Sequence, residues 1–180
     1  MFELNKTVAL VGMMGSGKSA IGKVVSSILD VPFCDTDAEI ELAAKLSIPE
    51  IFERHGEQFF RDKEDQITER LLREKPCILA TGGGAFINNK IRKSIKEHGV
   101  SVWLNPDLEI LWQRVKHKKS RPLLRTDNPI ETLTNIYTDR FTTYSLADVI
   151  IESHYKSSLE EMANLVIKSL LDRNDLIERF

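Results

Sequence analysis

The sequence predicts an α/β fold, a parallel sheet covered by helices on both faces. Short apolar runs at 7–11, 31–34, 77–80, 100–104 and 149–151 alternate with longer amphipathic segments, as repeated strand–helix units require. Ile78-Leu79-Ala80 and Val100-Ser-Val-Trp-Leu104 are almost continuously apolar, which suits strands buried on both sides. Between the first run and the first helical pattern stands Gly12-Met-Met-Gly-Ser-Gly-Lys-Ser19, a complete G-x-x-x-x-G-K-[ST] loop in the strand–loop–helix setting where such loops bind phosphate.

In chain order, the run 7–11 delivers this loop and a helix is expected over 18–29. Glycines let successive backbone N–H groups converge on phosphate oxygens, and the helix N-terminus adds its positive dipole end. Lys18 can then reach the β- and γ-phosphates, and the Ser19 hydroxyl can hold Mg²⁺. The second strand leads into Asp35-Thr36-Asp37, at a carboxyl end, where open α/β sheets face their ligand crevice. One carboxylate there could support Mg²⁺ through water and the other accept a proton from an attacking hydroxyl. Asp37 could equally cap the following helix.

Residues 37–74 insert two or three helices before the third strand, one of them opened by the capping-box sequence Ser47-Ile-Pro-Glu50. Within this stretch Arg61 and Glu64, three apart, share a helix face. Glu64 could hold the guanidinium in the pose for bidentate capture of a carboxylate or phosphate; a surface ion pair of little value is the other reading. After the third strand, Thr81-Gly82-Gly83-Gly84-Ala85 allows close backbone approach to a ligand, or φ > 0. Asn105-Pro106-Asp107 opens a helix, with Asp107 and Glu109 at its positive end. The basic segment 116–129 separates two helices. Lys116 to Lys119 read as a solvated face, whereas Arg121, beside Pro122, suits a mobile loop that closes over a nucleotide. Arg140 by position alone is an ordinary surface arginine. The last helix carries the stripe Leu159, Met162, Ala163, Val166, Leu170 and Leu171, capped by Ser157 with Glu160, and 173–180 read as a frayed tail or the end of that helix.

The chain of 180 residues fits one domain, and a net charge of −2 does not suggest nucleic-acid or membrane-surface binding. No apolar run approaches the ~20 residues of a membrane span, and Met1-Phe-Glu-Leu-Asn-Lys lacks the pattern of a secretory signal. Cys34 and Cys77 have no metal-ligand spacing and read as buried free thiols, which fits a reducing cytoplasm. His55, His98, His117 and His154 offer no metal or nucleophilic arrangement. No guanine-specific Asn-Lys-x-Asp sequence is present.

Taken together the motifs resemble the shikimate kinase family. They read Gly12 to Ser19; Asp35-Thr-Asp37; Ile51-Phe52; Gly56-Glu-Gln-Phe-Phe-Arg61 with Glu64; Gly82-Gly-Gly84; Arg121-Pro-Leu-Leu124; and Arg140 with Tyr144. The order is the family's and the span is nearly the whole chain. The resemblance implies a three-layer, nucleoside-monophosphate-kinase-like fold of the P-loop class. It has a five-stranded parallel sheet, a helical substrate-binding insertion at about 37–64 and a lid at about 115–127 within one domain of residues 1–180. It implies transfer of the γ-phosphate of ATP to the 3-hydroxyl of shikimate, in aromatic amino acid biosynthesis, with Mg²⁺.

On this resemblance Lys18, Asp37 and Arg121 are catalytic, and Asp37, Arg61, Gly83 and Arg140 bind shikimate. Gly15, Ser16, Gly17, Lys18, Ser19, Ala20, Arg114 and Arg121 bind ATP, and Ser19 with Asp35 serves the metal. Phe52 and Phe60 would wall the ring of the acid. The implied protein is a cytoplasmic monomer whose partners are ATP and shikimate, with neither nucleic acid nor membrane among them. Ala20 stands where many members have Thr, no proline precedes Tyr144, and 153–158 does not match the family's adenine-bordering segment.

Overall fold

Five parallel strands form the central sheet of the computed structural model, which describes residues 2–118, 121–153, 157–173 and 175–179. Lys119, Ser120, His154 and part of the 153–158 segment therefore lie outside the described residues. The chain runs β1 (Phe2–Leu4), β2 (Thr7–Val11), α1 (Lys18–Leu29), β3 (Phe33–Asp35), α2 (Thr36–Ala44), α3 (Ile48–Arg73), β4 (Ile78–Ala80), a 3-10 turn (Ala85–Ile87) and α4 (Asn89–His98). It continues through β5 (Gly99–Pro106), α5 (Leu108–Val115), a second 3-10 turn (Pro122–Leu124), α6 (Pro129–Tyr144), β6 (Val149–Ser153), α7 (Leu159–Leu171) and β7 (Ile177–Arg179). The sheet order is β3-β4-β2-β5-β6, all parallel. This is the expected α/β sheet with helices on both faces.

Strand alternation sorts the apolar residues into two cores. Val8 and Leu10 of β2 turn to one face, where Ile21, Val25 and Leu29 of α1 pack with Met162, Val166 and Leu170 of α7. Ala9 and Val11 turn to the other, against Leu71 of α3, Ile91 and Ile95 of α4, Leu111 of α5 and Leu133 of α6. All five β2 residues are buried, so the strand that delivers the glycine-rich loop is covered on both sides.

Several boundaries differ from expectation, each for a local reason. Pro106 ends β5 instead of opening a helix. Among the described residues its strand neighbour is β6 alone, since the β2 pairing stops at Val11↔Trp103, and a proline is tolerated where one side needs no donor. The cap of α7 is Ser158 with Glu161, not Ser157 with Glu160; the two pairs have the same spacing one residue apart, and spacing cannot choose between them. Residues 177–179 are not a frayed tail. They pair antiparallel with 2–4, and Leu176 and Ile177 bury beside Leu4. Helix α3 breaks at Gly56, φ 80°, which makes three helices of the insertion. At the start of β6, Asp148 Oδ2 accepts from Ser101 N at 2.8 Å and from Ser101 Oγ, while Asp148 N donates to Ser101 Oγ at 2.9 Å.

Candidate active site

Two adjoining clefts open at the carboxyl ends of β2, β3 and β4, where the crevice of an open α/β sheet lies. The larger, of about 1070 Å³, is lined by Gly15, Gly17, Lys18, Ser19, Ala20, Asp35, Arg114 and Arg121, among others. The smaller, of about 510 Å³, is lined by Asp37, Phe52, Phe60, Arg61, Glu64, Gly83, Arg121 and Arg140, among others. Met14, Asp37, Gly83 and Arg121 line both.

The larger cleft is built by the turn from β2 into α1. Gly15 and Gly17 sit at φ +81° and +95°, left-handed conformations that a side chain would strain. Lys18 is buried and donates to the carbonyls of Gly12 at 2.8 Å and Met13 at 2.9 Å. Burial pulls its pKa down from the ordinary 10.5 to about 8, although the Asp37 carboxylate opposes the shift. Ser16 does not line the cleft. It is buried, its N–H donates to Met13 O at 3.2 Å, and its hydroxyl lies 3.5 Å from Lys18 Nζ. Arg114 reaches back from α5 to donate to Gly15 O at 3.1 Å.

Ser19 Oγ donates to Asp35 Oδ2, and Asp35 Oδ1 accepts from the N–H groups of Asp37 at 3.0 Å and Ala38 at 3.3 Å. The cap of α2 is thus Asp35, not Asp37. This leaves the Asp37 carboxyl free for the cleft, its Oδ1 buried with no hydrogen-bond partner among the described residues. Burial, then the neighbouring Asp35, raises its pKa. Ser19 and Asp35 together offer hard oxygen donors beside the phosphate loop, a set that fits Mg²⁺ shared with phosphate oxygens.

Arg61 Nη1 donates to Glu64 Oε2 at 2.7 Å and Nη2 to Glu57 Oε1 at 3.1 Å. This is no surface pair, because Glu64 is 1% exposed. Burial raises the Glu64 pKa against the pull of Arg61. Gly82 and Gly84 have negative φ or extended backbone, so close approach is their reason. A Cβ on Gly82 would strike the Glu64 carboxylate, and one on Gly84 would strike the Arg61 guanidinium. Arg140 is no ordinary surface arginine either: Nη1 donates to Gly83 O at 2.9 Å, and the Tyr144 hydroxyl donates to the same carbonyl. Phe52 and Phe60 lie 4.9 Å apart between ring centroids on the wall of the smaller cleft. Arg121 borders both clefts, and its Nε has no hydrogen-bond partner among the described residues.

Sequence reasoning gave no role to Ile21, Thr81, Lys118 and Leu159 in the larger cleft, to Ile48 and Leu123 in the smaller, or to Met14 in both. Met14 and Leu123 lie inside quoted motifs at positions where side-chain identity is free. Leu159 read as core because it begins an apolar stripe, and nothing in the sequence separates it from that stripe.

The shikimate kinase family model matches residues 14–171. The shikimate kinase of Ruegeria pomeroyi is 54% identical over 175 residues, 97% of this chain and 90% of that protein. That of Cereibacter sphaeroides is 52% identical over 178 residues, 99% of this chain and 89% of that protein. The structure of shikimate kinase from Acinetobacter baumannii in complex with shikimate superposes with a TM-score of 0.89 at 34% identity, covering 93% of each chain. A gluconokinase from Sinorhizobium meliloti, TM-score 0.59 at 17% identity over 94% of each chain, shares the fold.

Proposed function

Because the chain belongs to the shikimate kinase family, we propose that its two clefts carry the family's reaction as a donor site and an acceptor site joined at Asp37. The chain is a kinase, and the reaction moves the γ-phosphate of ATP to the 3-hydroxyl of shikimate. The single observation that carries this reading is that Asp37, with a buried and unpaired carboxyl oxygen, lines both clefts.

ATP takes the larger cleft, its phosphates on the loop before α1 and its base beside Arg114. Shikimate takes the smaller, its carboxylate on Arg61 and Arg140, its ring between Phe52 and Phe60, its hydroxyls toward Asp37 and the Gly83 N–H. Ser19 directly, and Asp35 through water, would hold Mg²⁺, which when bound offsets phosphate charge. The 3-hydroxyl oxygen attacks the γ-phosphorus, that O–P bond forms, the bond to the β–γ bridging oxygen breaks and ADP leaves. The hydroxyl proton passes to Asp37. A loose transition state asks little of a base and much of charge placement, so Lys18 and Arg121 neutralise the oxygens where charge gathers. The lid at about 115–127 and the helical insertion at about 37–64 would close around the pair. The free thiols Cys34 and Cys77 suit a reducing cytoplasm, and no helix among the described residues is long and apolar enough to cross a membrane. The working unit we propose is a monomer.

The test is ADP release with shikimate as acceptor, repeated with Asp37→Asn and Arg61→Ala. Arg61→Ala should chiefly raise KM for shikimate and Lys18→Ala abolish transfer. No turnover with shikimate, or unchanged kinetics in all three variants, would sink the reading.

A further inference from the structure

We propose that Tyr144 is a positioning residue for the acceptor: its hydroxyl holds the Gly83 carbonyl so that Arg140 can turn to the acid's carboxylate. The proposal rests on the reading of Arg140 as a cation for that carboxylate.

In this structure Gly83 O accepts two hydrogen bonds, from Arg140 Nη1 and from the Tyr144 hydroxyl. A carbonyl has two lone pairs, and both are used. The two donors are not equivalent. Tyr144 is 1% exposed and stacks between Phe86, 6.3 Å away at 10°, and Trp103, 5.6 Å away at 23°. It cannot leave. Burial raises its pKa to about 12, so it is a donor throughout the working range. Arg140 lines the smaller cleft on a long unbranched stem, spends one of its five N–H groups on Gly83 O and also meets the Tyr144 hydroxyl.

An incoming carboxylate competes with Gly83 O for that guanidinium, and a charge-assisted pair is the stronger. With Tyr144 in place, Gly83 O keeps a partner when Arg140 turns. Without the hydroxyl, the same movement orphans a half-buried carbonyl, and acceptor binding carries that penalty.

The support also reaches the donor side. The Trp103 ring lies 3.2 Å from where a Cβ on Gly12 would stand, and Gly83 packs against Met14 N, 3.4 Å from its own Cβ position. One aromatic stack therefore backs both the phosphate loop and the acceptor loop.

The experiment compares wild type and Tyr144→Phe, which keeps the ring and the stack. Shikimate affinity is measured calorimetrically without nucleotide, and KM and kcat are measured for both substrates. The same measurements are made with the neutral carboxamide of shikimate as acceptor, and in an Arg140→Ala background. The expected result is a rise of about tenfold in Kd and KM for shikimate, equivalent to about 1.4 kcal/mol. KM for ATP and kcat should each stay within about twofold, inside the scatter of an uncoupled site. The penalty should disappear with the carboxamide and with Arg140→Ala, because in neither case does a guanidinium leave Gly83 for a carboxylate. Equal affinity in wild type and Tyr144→Phe would overturn the proposal, as would an equal penalty on acid and carboxamide. A Tyr144→Phe protein that is unfolded at the assay temperature would also overturn it by giving the hydroxyl to the fold. A wild type that binds no shikimate would instead refute the acceptor assignment, and this proposal with it.

Discussion

Raising the pH should strip the nucleotide loop of its cation well before an ordinary lysine would lose its proton. Lys18 titrates near 8 in the free protein, because burial outweighs the nearby Asp37 carboxylate. Its protonated fraction then falls from about nine-tenths at pH 7 to about one-tenth at pH 9. If ATP is captured only by the ammonium form, kcat/KM for ATP falls about tenfold over that interval, since this ratio reports the free enzyme. Bound triphosphate favours the charged form, so kcat should hold to higher pH. Cys77, raised by burial and the adjacent Cys34, and Tyr144, raised by burial, sit at about 12 and titrate above the window.

Linkage gives the matching sign for stability. The unfolded chain binds this proton up to 10.5 and the folded one only up to about 8. The ligand-free protein should therefore gain up to about 3 kcal/mol between those limits as the pH rises, and lose it again on acidification. The assay is direct chromatographic measurement of ADP from pH 6.5 to 9.5, with Lys18→Arg beside wild type. Arginine stays charged, so its slower profile should lack the alkaline limb. A flat wild-type profile, or the same limb in Lys18→Arg, would refute the reasoning.

Three further outcomes follow from the packing. Asp37→Asn removes a carboxyl that burial holds above its usual range. The melting temperature near pH 7 should rise while kcat falls by about a hundredfold or more; a lower melting temperature would contradict the burial argument. Gly82→Ala drives a methyl into the Glu64 carboxylate and toward Asp37 Oδ1. It should destabilise by about 1–3 kcal/mol in urea unfolding and disorder the acceptor site; unchanged stability and KM for shikimate would show that the carboxylate yields freely. Leu176→Ala empties a fully buried position under the β1–β7 pair and should cost about 2–5 kcal/mol; a loss below about 0.5 kcal/mol would return the segment to the frayed tail or helix end expected from the sequence.

What could be read in advance depended on whether the cause was local. The loop Gly12 to Ser19, the helix Lys18–Leu29 and the Ser47–Glu50 capping box are specified by neighbours in sequence, and each stands where expected. The reason for Gly82–Gly84 could not be read so. The choice between positive φ and close approach is made by Glu64 and Arg61, about twenty residues upstream. Asp35 and Asp37 looked interchangeable; the Ser19 hydroxyl and the first turn of α2 together claim Asp35 and leave Asp37 to the clefts. Arg140 looked ordinary because its partner, Gly83 O, is 57 positions away. The β1–β7 pair was missed because three-residue strands carry too little alternation to stand above turn sequence.

The exchange between Ser101 and Asp148 has a meaning for folding fidelity. Among the described residues β6 is an outer strand paired with β5, and a one-residue slip would turn each of its side chains to the other face. At Asp148 that error would be chemically visible. The carboxylate now meets a backbone and a side-chain donor from one residue of β5. A one-residue slip would set it opposite apolar Val100 or Val102, with no hydroxyl to meet it. The pair therefore marks the native register of β6 on β5, away from the chemistry of the two clefts.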